Sequence, residues 1–287
     1  MQQLISQEWL LLNHLLLFEI DQNFYFYVYY FINIPTFQHK YFIIMCYVIG
    51  VKVPKKQTLK IGDKNIDIEP IDIPVQSGFS YSNWPVLFNI EATTPSLQAG
   101  LMHWELIPHW VSNEKELNAS RKKYTTLNIK GETILTNKVA EPFILNNRCL
   151  VLASHFFEWQ QIEKEKIPHC ISLQNENLFY IAGVWNTWTN RQTGEVTPSF
   201  GIITTEANEM MSKIHNVKKR MPTILDSAMA DKWMSPHLSE KEITSLATHQ
   251  LETHKMKSYT VAKNFQQSND PIVPFNYQLY TPQSLFL

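Results

Sequence analysis

Short apolar runs separated by turn residues dominate the chain after Met45, and they predict strands rather than long helices. Strands are expected where these runs are rich in β-branched and aromatic residues: Cys149 to Ser154, His169 to Leu173, Leu178 to Val184, Ser199 to Thr205 and Ser258 to Ala262. Helical spacing of apolar positions predicts helices at Glu206 to Ile214, Ser227 to Met234 and Ser239 to His249. The pattern indicates an α+β fold, in which a curved, barrel-like and mostly antiparallel sheet has flanking helices. Ser239 and Glu242 form a capping-box signature at the start of the last helix.

The first 44 residues have a different pattern from the rest. They hold two long aromatic and aliphatic runs, Trp9 to Phe18 and Phe24 to Ile34, and a single basic residue. A secretory signal begins with positive charge, and a membrane span needs about 20 unbroken apolar residues, so neither assignment fits well. We interpret residues 1–44 as an upstream extension of the reading frame and residues 45–287 as one domain. A membrane-attached binding protein that uses the hydrophobic head as its anchor is an alternative.

Charge and cysteine content narrow the class of protein. The chain carries 25 basic and 26 acidic residues, which become 24 and 23 when residues 1–44 are left out. A nearly neutral domain is not suited to wrapping duplex DNA, but clusters such as Arg121 to Lys123 and Lys218 to Arg220 could line a local groove. Three cysteines without metal-ligand spacing fit a reducing cytosol and predict neither a metal nor a cofactor. Two of them, Cys149 and Cys170, lie in apolar runs and are expected to be packing residues.

Four polar features interrupt this apolar pattern: Cys46 after Met45, Asn128, Glu158 and His215. Each has an ordinary structural explanation, since cysteine is often buried and a histidine is favourable at a helix C-terminus. Glu158 is the most informative, because it is flanked by Phe156, Phe157 and Trp159 directly after an apolar strand.

A carboxylate in that setting is costly to bury, and desolvation should raise the pKa of Glu158 toward neutrality. Such a group suits general acid/base catalysis near pH 7. A structural salt bridge to Arg148 or Lys130 would explain the same placement, and the local sequence leaves both explanations open.

Taken in order, these features resemble the SOS response-associated peptidase (SRAP) family, whose members begin Met-Cys and carry an Asn-Ala-Arg-x-Glu-Thr stretch. The resemblance covers essentially all of residues 45–287. The blocks that carry it are Met45-Cys46, Trp104 to Trp110, Asn128 to Thr133, Arg148 to Leu150, Phe157 to Trp159, Ala182 to Trp185, Thr204 to Asn208, and Ile214-His215 followed by Arg220 to Pro222. Glu105 departs from the pattern, and it places a negative charge beside Trp104 unless it points away or pairs with His103 or His109.

The resemblance implies a protein of the DNA damage response that acts on abasic sites in single-stranded DNA. Cys46 would be the nucleophile once the preceding methionine is removed, with Asn128, Glu158 and His215 as supporting catalytic residues. An N-terminal cysteine is a 1,2-aminothiol whose amine, with an ordinary pKa of about 7.7 to 8.0, is partly neutral at pH 7. Its amine and sulfur can close a thiazolidine on the aldehyde of an open abasic sugar. Autoprocessing by peptidase activity, and reversal of the bond, are further activities that the resemblance suggests.

Binding of the damaged strand calls for flat surfaces and cations. Trp104 and Trp110 are candidates for stacking on bases, although core packing explains either tryptophan as well. For the phosphates we expect Lys130, which stands where the family has arginine, together with Arg148, Lys219 and Arg220. The protein is expected to be a monomer in the cytoplasm that associates with the nucleoid when DNA is damaged. A cysteine-type peptidase or amidohydrolase with a substrate other than DNA is the main rival, since Cys46 could equally attack a carbonyl.

Overall fold

Residues 47–90 and 96–277 are described in a computed structural model of the chain. They fall within one unit, Ile44–Leu287. The predictions for residues 1–44 and for Cys46 lie outside the described residues. Within those ranges no helix is both long and apolar enough to cross a membrane.

Strands form most of the described secondary structure. The strands are β1 Val48–Val53, β2 Gln57–Ile61, β3 Lys64–Ile68, β4 Ile71–Ser77, β5 Asn83–Asn89, β6 Leu97–Trp104, β7 Asn128–Lys130, β8 Arg148–Ala153, β9 His155–Ile162, β10 Glu165–Leu173, β11 Phe179–Thr189, β12 Val196–Glu206, β13 Arg220–Pro222, β14 Ile224–Leu225 and β15 Met256–Thr260. The α-helices are α1 Glu114–Arg121, α2 Glu141–Ile144, α3 Glu209–Ile214, α4 Ser227–Trp233 and α5 Glu240–Ala247. Short 3-10 turns lie at Gly78–Ser80, Gly131–Thr133, Thr253–Lys255 and Phe265–Gln267.

Five strands close into a barrel. β12 pairs with β11 along one edge and with β6 along the other, β6 pairs with β5, β5 with β8, and β8 with β11. The β6–β12 pair is parallel and the other four pairs are antiparallel. A second sheet, in the order β15-β10-β9-β1-β4, is antiparallel throughout. The expectation of an α+β domain with a curved, barrel-like sheet is confirmed.

The interior is filled by large apolar side chains, which favour this arrangement because they leave water. Trp84, Trp104, Phe156 and Phe200 are fully buried there. β8 and β11 approach closely at Gly183, where an added Cβ would lie 2.7 Å from the Cys149 Sγ.

The two cysteines predicted to be packing residues are indeed buried. Burial raises the pKa of the Cys149 thiol far above its ordinary value. Burial also raises the pKa of Cys170, to about 11. At neutral pH both thiols are therefore protonated, and neither is suited to nucleophilic chemistry.

The predicted elements are found with changed ends. The five predicted strands overlap β8, β10, β11, β12 and β15, and the Ser239–Glu242 capping box is formed. The predicted start of a helix at Glu206 is wrong, since Glu206 still belongs to β12 and α3 begins at Glu209. The cause is Asn208, whose side-chain oxygen accepts from the Met211 backbone N at 2.9 Å and caps the helix there.

Candidate functional site

Glu158 lies on β9 between two neighbouring strands. The preceding residue, Phe157, pairs with Val48 of β1 on one side and with Cys170 of β10 on the other. Glu158 itself is 1% exposed. A carboxylate this deeply buried requires polar partners, because removing an ion from water without them costs several kcal/mol or more.

His215 supplies one such partner. It follows the last residue of α3, is buried, and its Nδ1 lies 3.9 Å from the Glu158 Oε2. The same Nδ1 lies 3.0 Å from the Arg220 carbonyl oxygen. Because a carbonyl oxygen only accepts, Nδ1 carries the proton in this hydrogen bond, and Nε2 is the nitrogen that can exchange a proton in the neutral ring.

Hydrogen bonds from the end of α3 fix it against β9. The Asn216 side chain accepts from the Gln161 backbone N at 3.0 Å and donates to the Gln161 carbonyl oxygen at 2.8 Å. One residue earlier on β9, the Gln160 amide donates to the Lys213 carbonyl oxygen at 3.2 Å. These contacts join segments about fifty residues apart in sequence and set the separation of His215 from Glu158.

The segment Asn128 to Thr133 lies beside β12. β7 pairs with β12 in parallel, with Asn128 opposite Ile202, and the chain then turns at Gly131. A Cβ on Gly131 would lie 2.1 Å from the Ala247 carbonyl oxygen, so the turn needs glycine for its close approach to the end of α5. The turn places the Glu132 side chain against the guanidinium of Arg220.

Glu132 and Arg220 form a two-point ion pair. The Arg220 Nη1 lies 2.7 Å from the Glu132 Oε1, and its Nη2 lies 2.9 Å from Oε2. Nη2 also donates to the Thr204 carbonyl oxygen at 2.7 Å. The pair ties the Asn128 segment to the strand that follows His215, on the two sides of β12. We call Glu132, Glu158, His215 and Arg220 the polar cluster.

Two of the residues predicted to contact DNA are buried elsewhere, and these predictions are wrong. Trp104 is 0% exposed, stacks on Phe200, and donates from Nε1 to the Leu127 carbonyl oxygen at 3.2 Å. Arg148 is buried, and its guanidinium donates to four backbone carbonyls, those of Ile144, Leu145, Trp233 and Ser235. Neither side chain can reach a strand of DNA, and Arg148 is occupied by carbonyl oxygens rather than by Glu158.

The other predicted contacts differ in accessibility. Lys130 and Lys219 are exposed, and Trp110 is 46% exposed with the His109 ring packed edge-on against it. Arg220 is only 8% exposed and is paired with Glu132, so as a phosphate contact it stays a prediction. Asn128 is half-buried on β7.

The negative charge of Glu105 is neutralised locally. Its Oε2 accepts from the Arg121 Nε at 2.9 Å and Nη2 at 2.6 Å, and lies 3.4 Å from the His103 Nε2. The expected pairing with His103 is therefore present, and Arg121 adds to it. This ion pair also removes Arg121 from the basic cluster that the sequence suggested at Arg121 to Lys123.

Sequence reasoning missed two residues that assemble this site, Glu132 and Asn216. Glu132 stands in one family block and Arg220 in another, so their opposite charges could have indicated an ion pair. Asn216 gave no signal of its own, because its role depends on a strand that is 55 residues away.

Comparisons with known proteins agree on one family. Residues 71–268 match the SOS response associated peptidase (SRAP) family. The chain is 31% identical over 175 residues to the abasic site processing protein YoqW of Bacillus subtilis, covering 60% of this chain and 74% of that protein. It is 27% identical to the abasic site processing protein HMCES of Xenopus tropicalis, covering 66% of this chain and 62% of that one. A solved structure of a protein from Bacteroides thetaiotaomicron superimposes with a TM-score of 0.62 at 32% identity, covering 69% of this chain and 81% of that one.

Proposed function

This chain belongs to the SOS response associated peptidase family, and from that premise we propose that it processes abasic sites in single-stranded DNA by bonding covalently to them through Cys46. The similar proteins named for abasic site processing support the substrate class. The chemistry of an N-terminal cysteine supports the covalent step. The crosslink would shield the damaged strand from cleavage.

The observation that carries the proposal is the position of the Glu158–His215 pair. Val48 pairs with Phe157, the neighbour of Glu158, and Val48 is two residues after Cys46 in the sequence. In the sequence, only Tyr47 separates Cys46 from β1, the strand that pairs with β9, and β9 carries Glu158. A structural ion pair alone would not account for a buried carboxylate and imidazole on and against the strand that pairs with the segment after the proposed nucleophile.

The bond-forming steps need no further reagent. The neutral α-amine of Cys46 adds to the aldehyde carbon of the open sugar and gives a carbinolamine, which loses one water to give an imine. The Cys46 sulfur then adds to the imine carbon, the thiol proton moves to the nitrogen, and a thiazolidine ring closes. Each step moves a proton over a short distance, which is the work of general acids and bases.

The polar cluster supplies those acids and bases in this proposal. Glu158 exchanges protons with the amine, the carbinolamine oxygen and the sulfur. His215 protonates the ring oxygen of the sugar during opening with the Nε2 proton of its imidazolium form, and Nδ1 keeps the proton that bonds to the Arg220 carbonyl oxygen. Asn128 orients the amine or the aldehyde by hydrogen bonding.

Contacts to the DNA strand come from exposed residues. Lys130 and Lys219 can neutralise phosphates, and Trp110 can stack on a base. Lysine contributes charge without the planar two-point grip of arginine, so these contacts favour affinity over sequence preference. A near-neutral domain with a few local cations fits binding of a single strand at one lesion.

A free N-terminus at Cys46 is a requirement of this chemistry. With a residue attached before it, the nitrogen of Cys46 is an amide and cannot form the imine. Translation from Met45 followed by removal of the methionine would expose it, and so would cleavage before Cys46.

The test is to mix protein that starts at Met45 with a single-stranded oligonucleotide that carries one abasic site, and with its intact counterpart. We expect a heat-stable, slower-migrating band with the abasic strand only, and an intact mass equal to both partners minus one water. Cys46→Ser should abolish the band, since a hydroxyl does not form the thiazolidine. Cys149→Ala, which removes a buried thiol, is the matched control and should retain it.

Two outcomes would count against the proposal. One is an expressed protein whose sole stable form begins at Met1, since its Cys46 nitrogen would then be an amide. The other is an abasic strand left unmodified while a peptide bond is hydrolysed in a Cys46-dependent way, which would favour the peptidase or amidohydrolase.

A further inference from the structure

The loop Asn216 to Lys219, between α3 and β13, exposes three of its four residues, although the residues that flank it are buried. It connects His215 to Arg220, which belong to the polar cluster. Between them Val217 is 64% exposed, and Lys218 and Lys219 are exposed as well. The loop is therefore the part of this segment that a bound strand would meet first. We call it the 216–219 loop.

Hydrogen bonds hold both ends of the 216–219 loop. The Asn216 side chain bonds to both backbone polar groups of Gln161 on β9. At the other end, the Lys219 backbone N donates to the His215 carbonyl oxygen at 2.8 Å, and the Lys219 carbonyl oxygen accepts from the Ala207 N at 2.9 Å. These hydrogen bonds set where the loop leaves α3 and where it enters β13, close to His215.

Lys219 adopts a backbone conformation that disfavours a lysine. Its φ is 51°, in the left-handed region where glycine or asparagine is the usual residue. Glycine would fit this backbone conformation better, so the presence of lysine suggests that its side chain has a role.

Charge and apolar surface occur together at the tip. Lys213, on the preceding helix α3, is paired with Glu209 at 2.8 Å, whereas Lys218 and Lys219 form no ion pair within the ranges 47–90 and 96–277. Val217 precedes these two cations and exposes an apolar side chain to water. Two unneutralised lysines beside an apolar tip are complementary to a nucleic acid strand, which offers phosphates next to base faces.

We propose that the 216–219 loop is a wedge for the abasic strand, in which Val217 packs against the base next to the missing one and Lys218 and Lys219 bind the flanking phosphates. This inference rests on the proposed function. The gap left by a missing base has apolar faces of neighbouring bases on either side, and a small apolar side chain can contact them at little cost. The wedge would hold the open sugar next to His215.

The test is the second-order rate of crosslinking to an abasic single strand, measured over a series of salt concentrations. Lys219→Gly is the decisive variant, because glycine accepts the φ of 51° and should keep or raise the melting temperature. We expect it nonetheless to lower the rate about threefold to tenfold at low salt and to reduce the slope of log rate against log salt by about 0.7. Lys218→Ala should act in the same direction.

Val217→Ser should lower the rate at every salt concentration without changing the slope, since it removes apolar contact and no charge. Lys213→Ala is the matched control, an exposed lysine already paired with Glu209, and should leave rate and slope unchanged. If the unsubstituted protein crosslinks normally and the three loop variants behave like Lys213→Ala, the wedge is overturned and the proposed function stands. If the unsubstituted protein does not crosslink at all, both fail.

Discussion

The barrel interior and the polar cluster are both buried, but they are held by opposite kinds of interaction. In the barrel, Trp84, Trp104 and Phe200 gain free energy simply by leaving water. In the polar cluster, Glu158 and His215 lose hydration and are stable only because hydrogen bonds and ion pairs compensate. The barrel interior should therefore tolerate the exchange of one apolar side chain for another better than the introduction of a polar one. The polar cluster depends on the positions of individual atoms.

Two tryptophans of the same sequence block also differ in their environment. Trp104 and Trp110 are six residues apart, yet one is 0% exposed and the other 46% exposed. A tryptophan in the core contributes to folding, and an exposed one is available to a partner. Measuring both stability and DNA binding in substituted proteins therefore tests whether buried and exposed residues have these different roles.

The largest effect is expected for Trp104→Ala. It removes a fully buried side chain and its hydrogen bond to the Leu127 carbonyl oxygen, so the free energy of unfolding should fall by about 3–5 kcal/mol. Chemical denaturation measures this. If the variant were as stable as the parent but defective in DNA binding, Trp104 would have to be assigned to DNA binding instead.

Glu158→Gln should have the next largest effect, on rate rather than on folding. The amide fills the same volume but cannot accept and release a proton at neutral pH, so crosslinking to the abasic strand should slow about a hundredfold or more. Rapid-quench measurement of the crosslinked fraction gives the rate. Glu141→Gln, an exposed glutamate on α2, is the control; equal rates for the two variants would remove Glu158 from the mechanism.

Glu132→Gln should have an intermediate effect, on stability and with a defined dependence on pH. Burial by itself would raise the pKa of the Glu132 carboxyl, but the hydrogen bonds from Arg220 outweigh it and hold the pKa below its ordinary value. The stabilisation is therefore present above the unfolded-state pKa and is lost as pH falls through the lower, folded-state pKa.

The free energy of unfolding at pH 7 should be about 1 kcal/mol lower in Glu132→Gln than in the parent. The expected loss is modest because the carboxylate is one-third exposed and water screens the ion pair. The difference from the parent should vanish at strongly acidic pH. A difference that is the same at pH 7 and at strongly acidic pH would show that the ion pair with Arg220 does not stabilise the fold.

An effect of similar size, on affinity rather than on folding, is expected for Trp110→Ala. Base stacking on an aromatic ring contributes about 1–3 kcal/mol, and a half-exposed ring should lie at the low end, so affinity for single-stranded DNA should fall about fivefold to tenfold. Fluorescence anisotropy with a labelled strand checks this, and the melting temperature should not change. Unchanged affinity would leave Trp110 with no part in binding.

Much of the fold was predictable from the chain, and some predictable features were overlooked. The capping box at Ser239 is a local signal and is formed as expected. The hairpin of β2 and β3 also has a local signal, alternating residues on both sides of the two-residue turn Gly62-Asp63, where Gly62 has a φ of 58°. The strand pairing that closes the barrel could not be predicted from the sequence, because the parallel contact of β12 with β6 joins residues nearly a hundred positions apart.

The sequence by itself determined the strand-rich α+β class, the family blocks and the unusual setting of Glu158 among aromatic residues. Only the tertiary structure decided which polar and aromatic residues face the interior. Arg148 and Lys130 are both basic residues within the family blocks of the sequence, but Arg148 is buried because carbonyl groups from Trp233 and Ser235, over eighty residues later, accept its hydrogen bonds. Burial of a polar group depends on partners that the fold brings from distant segments, and the identity of a residue does not contain that information.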